Sequence, residues 1–181
     1  SHDVASEDTL KRFEREVRAM SLLTHPSTVV IYDYGRSGHG HFYYAMEYVE
    51  GPNFDDLVKL EGRLEPARVK YLLLQVVGAL AEAHGQGFVH RDIKPANIML
   101  TMRGGRYDFV KVLDFGLVRD LHSKESRLTS TGSISGTPGF VPPEAFDGHE
   151  SITPAADVYA VGCVAYWLLT GNEGFEGSVA S

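Results

Sequence analysis

Residues 69 to 84 read VKYLLLQVVGALAEAH, a helix-length run with almost no polar face through its middle. A helix that is apolar nearly all round is stable only when its neighbours cover it. Together with the nearly all-apolar stretch Pro154–Thr170, it requires a mostly helical body with a real core. The long helix is expected from Glu65 to about His84, preceded by a short one over Phe54–Lys59. The pattern differs ahead of that body. Leu10, Phe13, Val17 and Met20 recur at helical spacing behind Ser6, Glu7 and Asp8, and His25-Pro26 ends that helix. TVVIYDYG (28–35) and HFYYAMEYV (41–49) read as strands joined by the turn RSGHG. NIML and VKVLDF are further strand candidates around RGGRYD, and residues 120–136, rich in Ser, Thr and Gly with no apolar period, read as a mobile loop. One helix and two strands followed by a helical body give an α+β fold rather than alternating βαβ units.

Several function classes are disfavoured. A net charge of −7 with no basic stripe argues against a dedicated nucleic-acid binder. The first ten residues lack the basic and apolar regions of a secretory signal. Val158–Leu169 falls short of the roughly 20 residues that a membrane helix needs. The single cysteine, Cys163, cannot form an internal disulfide, and its apolar setting predicts a buried thiol. A cytoplasmic protein with no membrane segment is the expectation.

The chemistry is concentrated in two short runs, HRDIKPANIML at 90–100 and VLDFG at 112–116. The first is too polar, and too aperiodic, for a half-buried helix or strand, and reads as a loop between buried pieces. Asp92, Asn97 and Asp114 offer the hard oxygen donors that magnesium prefers, and Lys94 offers a positive point charge. Asn97 and Asp114 suit a metal that also takes phosphate oxygens, which leaves Asp92 to accept a proton. No HExxH or CxxC spacing supports zinc.

These motifs, in this order, resemble the eukaryotic-type serine/threonine protein kinase family, in the style of its bacterial members. His90, Arg91, Asp92, Lys94 and Asn97 match the H-R-D-x-K-x-x-N loop, and Asp114, Phe115 and Gly116 match D-F-G. GTPGF at 136–140 matches the close of the activation segment, and Pro142, Pro143 and Glu144 match A-P-E with proline in place of alanine. The resemblance implies a two-lobed, truncated kinase-like fold. Residues 1–49 would be a partial small lobe (one helix, two strands and a hinge), and residues 50–181 a partial large lobe. It implies ATP and Mg2+ as cofactors and a protein Ser/Thr acceptor as substrate. In that scheme Asp92 is the catalytic base, Lys94 contacts the γ-phosphate, Asn97 and Asp114 hold the metal, and Glu16 pairs with a strand lysine. Met46 is the gatekeeper, the backbone of Glu47 and Val49 meets adenine, and Met99 lies under the ring. His90 is structural, stacked near Phe115. Arg91 meets a phosphate on the activation segment, where Thr129 and Thr131 are candidate sites. Asp157 accepts hydrogen bonds from the catalytic-loop backbone. Thr137, with Lys94, marks serine/threonine rather than tyrosine specificity.

Taken alone, some of these residues have plainer readings. Glu16 lies one turn from Arg12 and would pass for a surface ion pair. Asp157 could simply cap a helix, Trp167 reads as core, and the histidines other than His90 read as solvated. The resemblance places the Gly-rich loop and the strand lysine before residue 1 and the closing helices after residue 181, so a kinase-domain fragment is expected, inactive by itself. Two rivals remain at this level. One is a pseudokinase that only binds partners, though those usually lose one of the residues kept here. The other is a small-molecule phosphotransferase, which generally lacks Lys94 and the GTP–PPE segment.

Overall fold

A computed structural model describes residues 17–18, 20–38, 42–113, 115, 138–143, 153–172 and 174. Within them the order is β1 (Ile31–Arg36), β2 (Phe42–Met46), α1 (Phe54–Glu61), α2 (Pro66–Gly85), β3 (Ile98–Arg103), β4 (Arg106–Val112) and α3 (Pro154–Thr170). Short 3-10 turns lie at Pro95–Asn97 and Pro138–Phe140. Val17, Arg18 and Met20 are helical, within the first predicted helix. The α+β class expected from the sequence is the one observed, with two antiparallel two-stranded sheets, β1–β2 and β3–β4.

Each helix starts and stops where local chemistry allows. Asn53 caps α1, its side chain accepting the Asp56 N–H at 2.8 Å, and Asp55 and Asp56 follow in the first turn. Carboxylates there complement the helix dipole. Pro66 opens α2 and Pro154 opens α3, where a missing N–H costs nothing. Gly171, in the left-handed region at φ 73°, closes α3. The core runs through Phe54 and Leu57 of α1, Leu72, Val76 and Leu80 of α2, Ile98 and Val110 of the second hairpin, and Val164 and Leu168 of α3. Cys163 is buried as predicted, and burial raises its thiol. Trp167 is half-buried against this core.

The long helix departs from expectation on one side. Val69, Leu72, Val76, Ala79, Leu80 and Ala83 form a single buried stripe, whereas Leu74 is 61% and Val77 48% exposed. The stripe is where α2 meets β4 and α3; on the other side His25 packs at Gly78, while Leu74 and Val77 stay exposed.

Strand limits also shift. The first strand was expected from residue 28, yet residues 28–30 are claimed by other partners. Val112 donates to Ser27 O at 2.7 Å and accepts from Val29 N–H at 3.2 Å. The second strand stops at Met46, three residues early. β3 and β4 extend into the predicted turn, because Gly104 and Gly105 (φ 58° and 76°) supply the positive φ pair of a tight hairpin. Asp108, also at positive φ, is clamped by α2. The Arg68 guanidinium binds its carboxylate at 2.8 Å through two nitrogens, which raises Arg68 further above its ordinary value. Gln75 donates to the Asp108 carbonyl at 2.9 Å and accepts from Val110 N–H at 3.0 Å. Gly51 lets its loop run against β3, since a Cβ there would lie 1.9 Å from the Leu100 carbonyl oxygen.

One further tie joins the N-terminal part to α2. Glu82 accepts from the N–H groups of Thr24 at 2.9 Å and His25 at 2.8 Å. Burial pushes its carboxyl up, but these bonds outweigh that and leave it below the usual range.

Candidate active site

The loop after α2 is held from below by one carboxylate. Asp157, 1% exposed in the first turn of α3, accepts His90 N–H through Oδ2 and Arg91 N–H through Oδ1, each at 2.8 Å. Oδ2 also lies 2.7 Å from His84 Nε2 at the end of α2. Asp157 is thus not a mere helix cap. Above it Arg91 sits at φ 65°, a conformation that costs a non-glycine residue about 1–2 kcal/mol and persists only where its surroundings impose it.

His90 is fully buried and stacks on Phe115, with ring centroids 4.5 Å apart at 43°. Nε2 lies 2.8 Å from the Leu113 carbonyl oxygen, which can only accept, so Nε2 carries the proton. Nδ1 accepts from Asp92 N–H at 3.3 Å. Both nitrogens are committed, and the ring is a neutral prop rather than a base. Burial disfavours the charged ring and outweighs the opposing pull of Asp157, the Leu113 carbonyl and Asp92, so His90 titrates below the ordinary histidine value. The unfolded chain takes up a proton near pH 6.5 that the folded chain resists. Stability is therefore expected to fall as pH drops below about 6.5, by at most about 1.4 kcal/mol per pH unit for this one group. Urea midpoints measured from pH 7.5 to 5.5 check this, and His90→Asn should flatten the slope. An equal slope in the variant would assign the effect elsewhere.

Asp92 lies at the centre of the loop. Its Oδ2 receives Lys94 Nζ at 2.8 Å and Asn97 Nδ2 at 2.8 Å. Asn97 Nδ2 also donates to the Asp92 main-chain oxygen at 2.9 Å. The buried Pro95 sets the 3-10 turn that brings Asn97 back under Asp92. Leu113 N–H donates to Asn97 O at 2.9 Å, so β4 ends against this turn. Asn97 thereby keeps Oδ1 outside those bonds. That amide oxygen is a hard donor that fits magnesium.

The hinge candidates lie beside the same C-terminal end of β4, where Lys111 pairs with Met99 of β3 and bonds Glu47. Met46 ends β2 opposite Ile31, and Val49 is buried. Glu47 donates its N–H to Val30 O at 2.8 Å. Met99, half-buried, stands on β3 beside a bridge to Asn53. Met46, Met20 and Phe115 border one small apolar gap of about 10 Å3, so the side chain beside the polar loop and the gatekeeper candidate share one layer. Glu16, Asp114, Gly116, Thr129, Thr131, Thr137, Glu144 and the loop at 120–136 lie outside the described residues.

Sequence reading missed three contributors. His84, taken as solvated, is bonded to Asp157, and His25 is half-buried with Nδ1 accepting Ser27 N–H at 3.1 Å. Lys111 is 2% exposed and bonded to Glu47. The available signal was its position between Val110 and Val112, in a strand apolar on both sides.

Residues 1–181 match the protein-family description "Protein kinase domain". The chain is 40% identical over 179 residues to serine/threonine-protein kinase pkn3 of Myxococcus xanthus, covering 98% of this chain and 32% of that one. It is also 40% identical over 181 residues to serine/threonine-protein kinase PknL of Mycobacterium tuberculosis, covering 99% and 43%. The chain thus spans well under half the length of these relatives. Among solved structures, Rad53 1-466 in complex with AMP-PNP superposes with a TM-score of 0.76 at 27% identity, over 96% of this chain and 42% of that one.

Proposed function

Because the chain belongs to the protein kinase family, we propose that the protein carrying it transfers the γ-phosphoryl group of ATP to a serine or threonine hydroxyl of a protein substrate. The observation that carries this reading is the Asp92 carboxylate, 2.8 Å from both Lys94 Nζ and Asn97 Nδ2 in a loop tethered by Asp157. Asp92 takes the proton of the acceptor hydroxyl, the oxygen forms a bond to the γ-phosphorus, and the bond to the bridging β–γ oxygen breaks to leave ADP. Lys94 meets charge on the transferred group, while its contact with Asp92 fixes both side chains. Asn97 and Asp114 would hold magnesium, which would supply positive charge against the phosphates, and Glu16 would pair with the small-lobe lysine that the family implies. Lys94, two residues after Asp92, and Thr137 give the acceptor preference. Among the described residues no helix is long and apolar enough to cross a membrane, and we place the chain in the cytoplasm, where ATP is available.

The test is incubation of the native full-length protein with γ-labelled ATP, magnesium and a mixed protein acceptor, followed by phosphoamino-acid analysis. Label in phosphoserine or phosphothreonine is expected, including the protein's own Thr129 or Thr131. Label confined to phosphotyrosine would overturn the acceptor class. Nucleotide binding with no transfer would leave the pseudokinase reading.

A further inference from the structure

We infer that Lys111 is a positioning residue for the purine base: through its ion pair with Glu47 it fixes the segment 46–49 and so sets discrimination between adenine and guanine nucleotides. The inference rests on the nucleotide-binding reading above. Lys111 is buried on β4 between Val110 and Val112, both 0% exposed. An ammonium withdrawn from water is costly unless paired. Its Nζ meets that demand with Glu47 Oε2 at 2.6 Å and the Thr28 carbonyl at 3.1 Å. The Glu47 side chain, 27% exposed, is the rim member of the pair. The same Oε2 also accepts Val30 N–H at 3.3 Å, and Glu47 N–H donates to Val30 O. Glu47 is therefore anchored at its side chain and its amide. Among the described residues, no main-chain hydrogen bond engages its carbonyl or the Val49 N–H.

Those two main-chain groups are where base identity is read. Adenine offers an amine donor where guanine offers a carbonyl acceptor. A carbonyl and an N–H held in fixed register suit adenine and leave guanine with unpaired polar groups. Lys111 does not touch the base. It holds Glu47, and Glu47 holds the register. The same lysine lies two residues before Leu113, whose N–H bonds the Asn97 carbonyl, so base recognition and the catalytic loop hang on one strand.

Competition binding of ATP and GTP to the native full-length protein, alongside thermal unfolding, tests this with Lys111→Met and Glu47→Gln. The ATP-over-GTP preference is expected to fall about tenfold in each, roughly what one hydrogen bond to a charged group contributes. GTP affinity should stay near its wild-type value. Both variants keeping the wild-type preference would overturn the inference, even if melting temperatures drop, because a purely structural lysine would lower stability without touching base selectivity. If Lys111→Met does not fold, Glu47→Gln decides alone, since it retains a polar partner for Lys111 at the rim. A wild-type protein that binds ATP with no preference over GTP would also overturn it. Binding of neither nucleotide would instead remove the nucleotide-binding reading itself.

Discussion

Asp92→Asn, in the native full-length protein, is expected to lower phosphoryl transfer by about a hundred- to ten-thousand-fold, the range that a positioned proton acceptor contributes. Nucleotide affinity should be unchanged. The substitution is nearly isosteric, and an amide oxygen can still accept from Lys94 Nζ and Asn97 Nδ2, both 2.8 Å from the native Oδ2. With that oxygen so engaged, the amide nitrogen faces the acceptor hydroxyl, and an NH2 group cannot take its proton. The hinge candidates lie on other elements and are untouched. Parallel transfer and binding assays check this. Wild-type transfer by the variant would end the assignment of Asp92, and joint loss of transfer and binding would show that the loop had collapsed rather than lost a base.

The sequence made the helices of the large part legible because their signals are local. Pro66 and Pro154 mark the starts, and the apolar runs extend for several turns; α3 was placed residue for residue. Strand limits were less legible because pairing is not a local property. Residues 28–30 have the composition of a strand continuing into β1, but Val112, more than eighty positions later in the chain, takes Thr28 and Val29. The polar loop could be singled out as a candidate site, since its density of Asp, Lys and Asn has no structural purpose in an ordinary loop. Its supports could not be read. His84 and Lys111 are lone polar residues in apolar surroundings, and nothing in the sequence says that one faces Asp157 and the other Glu47. The exposed side of α2 escaped for the opposite reason: Leu74 and Val77 carry an apolar signal that the fold, over the described residues, leaves on the outside.

Asp157→Ala should be the most damaging single change to stability in this part of the molecule. It leaves the His90 and Arg91 amides without their acceptor at a buried site, at about 1–3 kcal/mol for each group. The sum, about 2–6 kcal/mol, is a large share of the 5–15 kcal/mol that holds a typical domain together. His84 Nε2 loses a partner at the same time. Asp157→Asn should cost less but still be costly, because the carboxylate uses both oxygens, Oδ1 for Arg91 and Oδ2 for His90 and His84. An amide keeps one acceptor and turns an NH2 toward another N–H. Urea unfolding, read as a shift in midpoint at constant slope, measures the ranking Ala, then Asn, then wild type. The effect on transfer should exceed what unfolded protein accounts for, and the reason is geometric. Arg91 stands at φ 65° with its N–H accepted by Asp157. Released from that bond, the backbone relaxes toward negative φ and swings Asp92, the next residue, away from Lys94 and Asn97. Folded Asp157→Asn protein with wild-type transfer would sink this, because it would mean that the strained turn at Arg91 has no part in aiming the catalytic carboxylate.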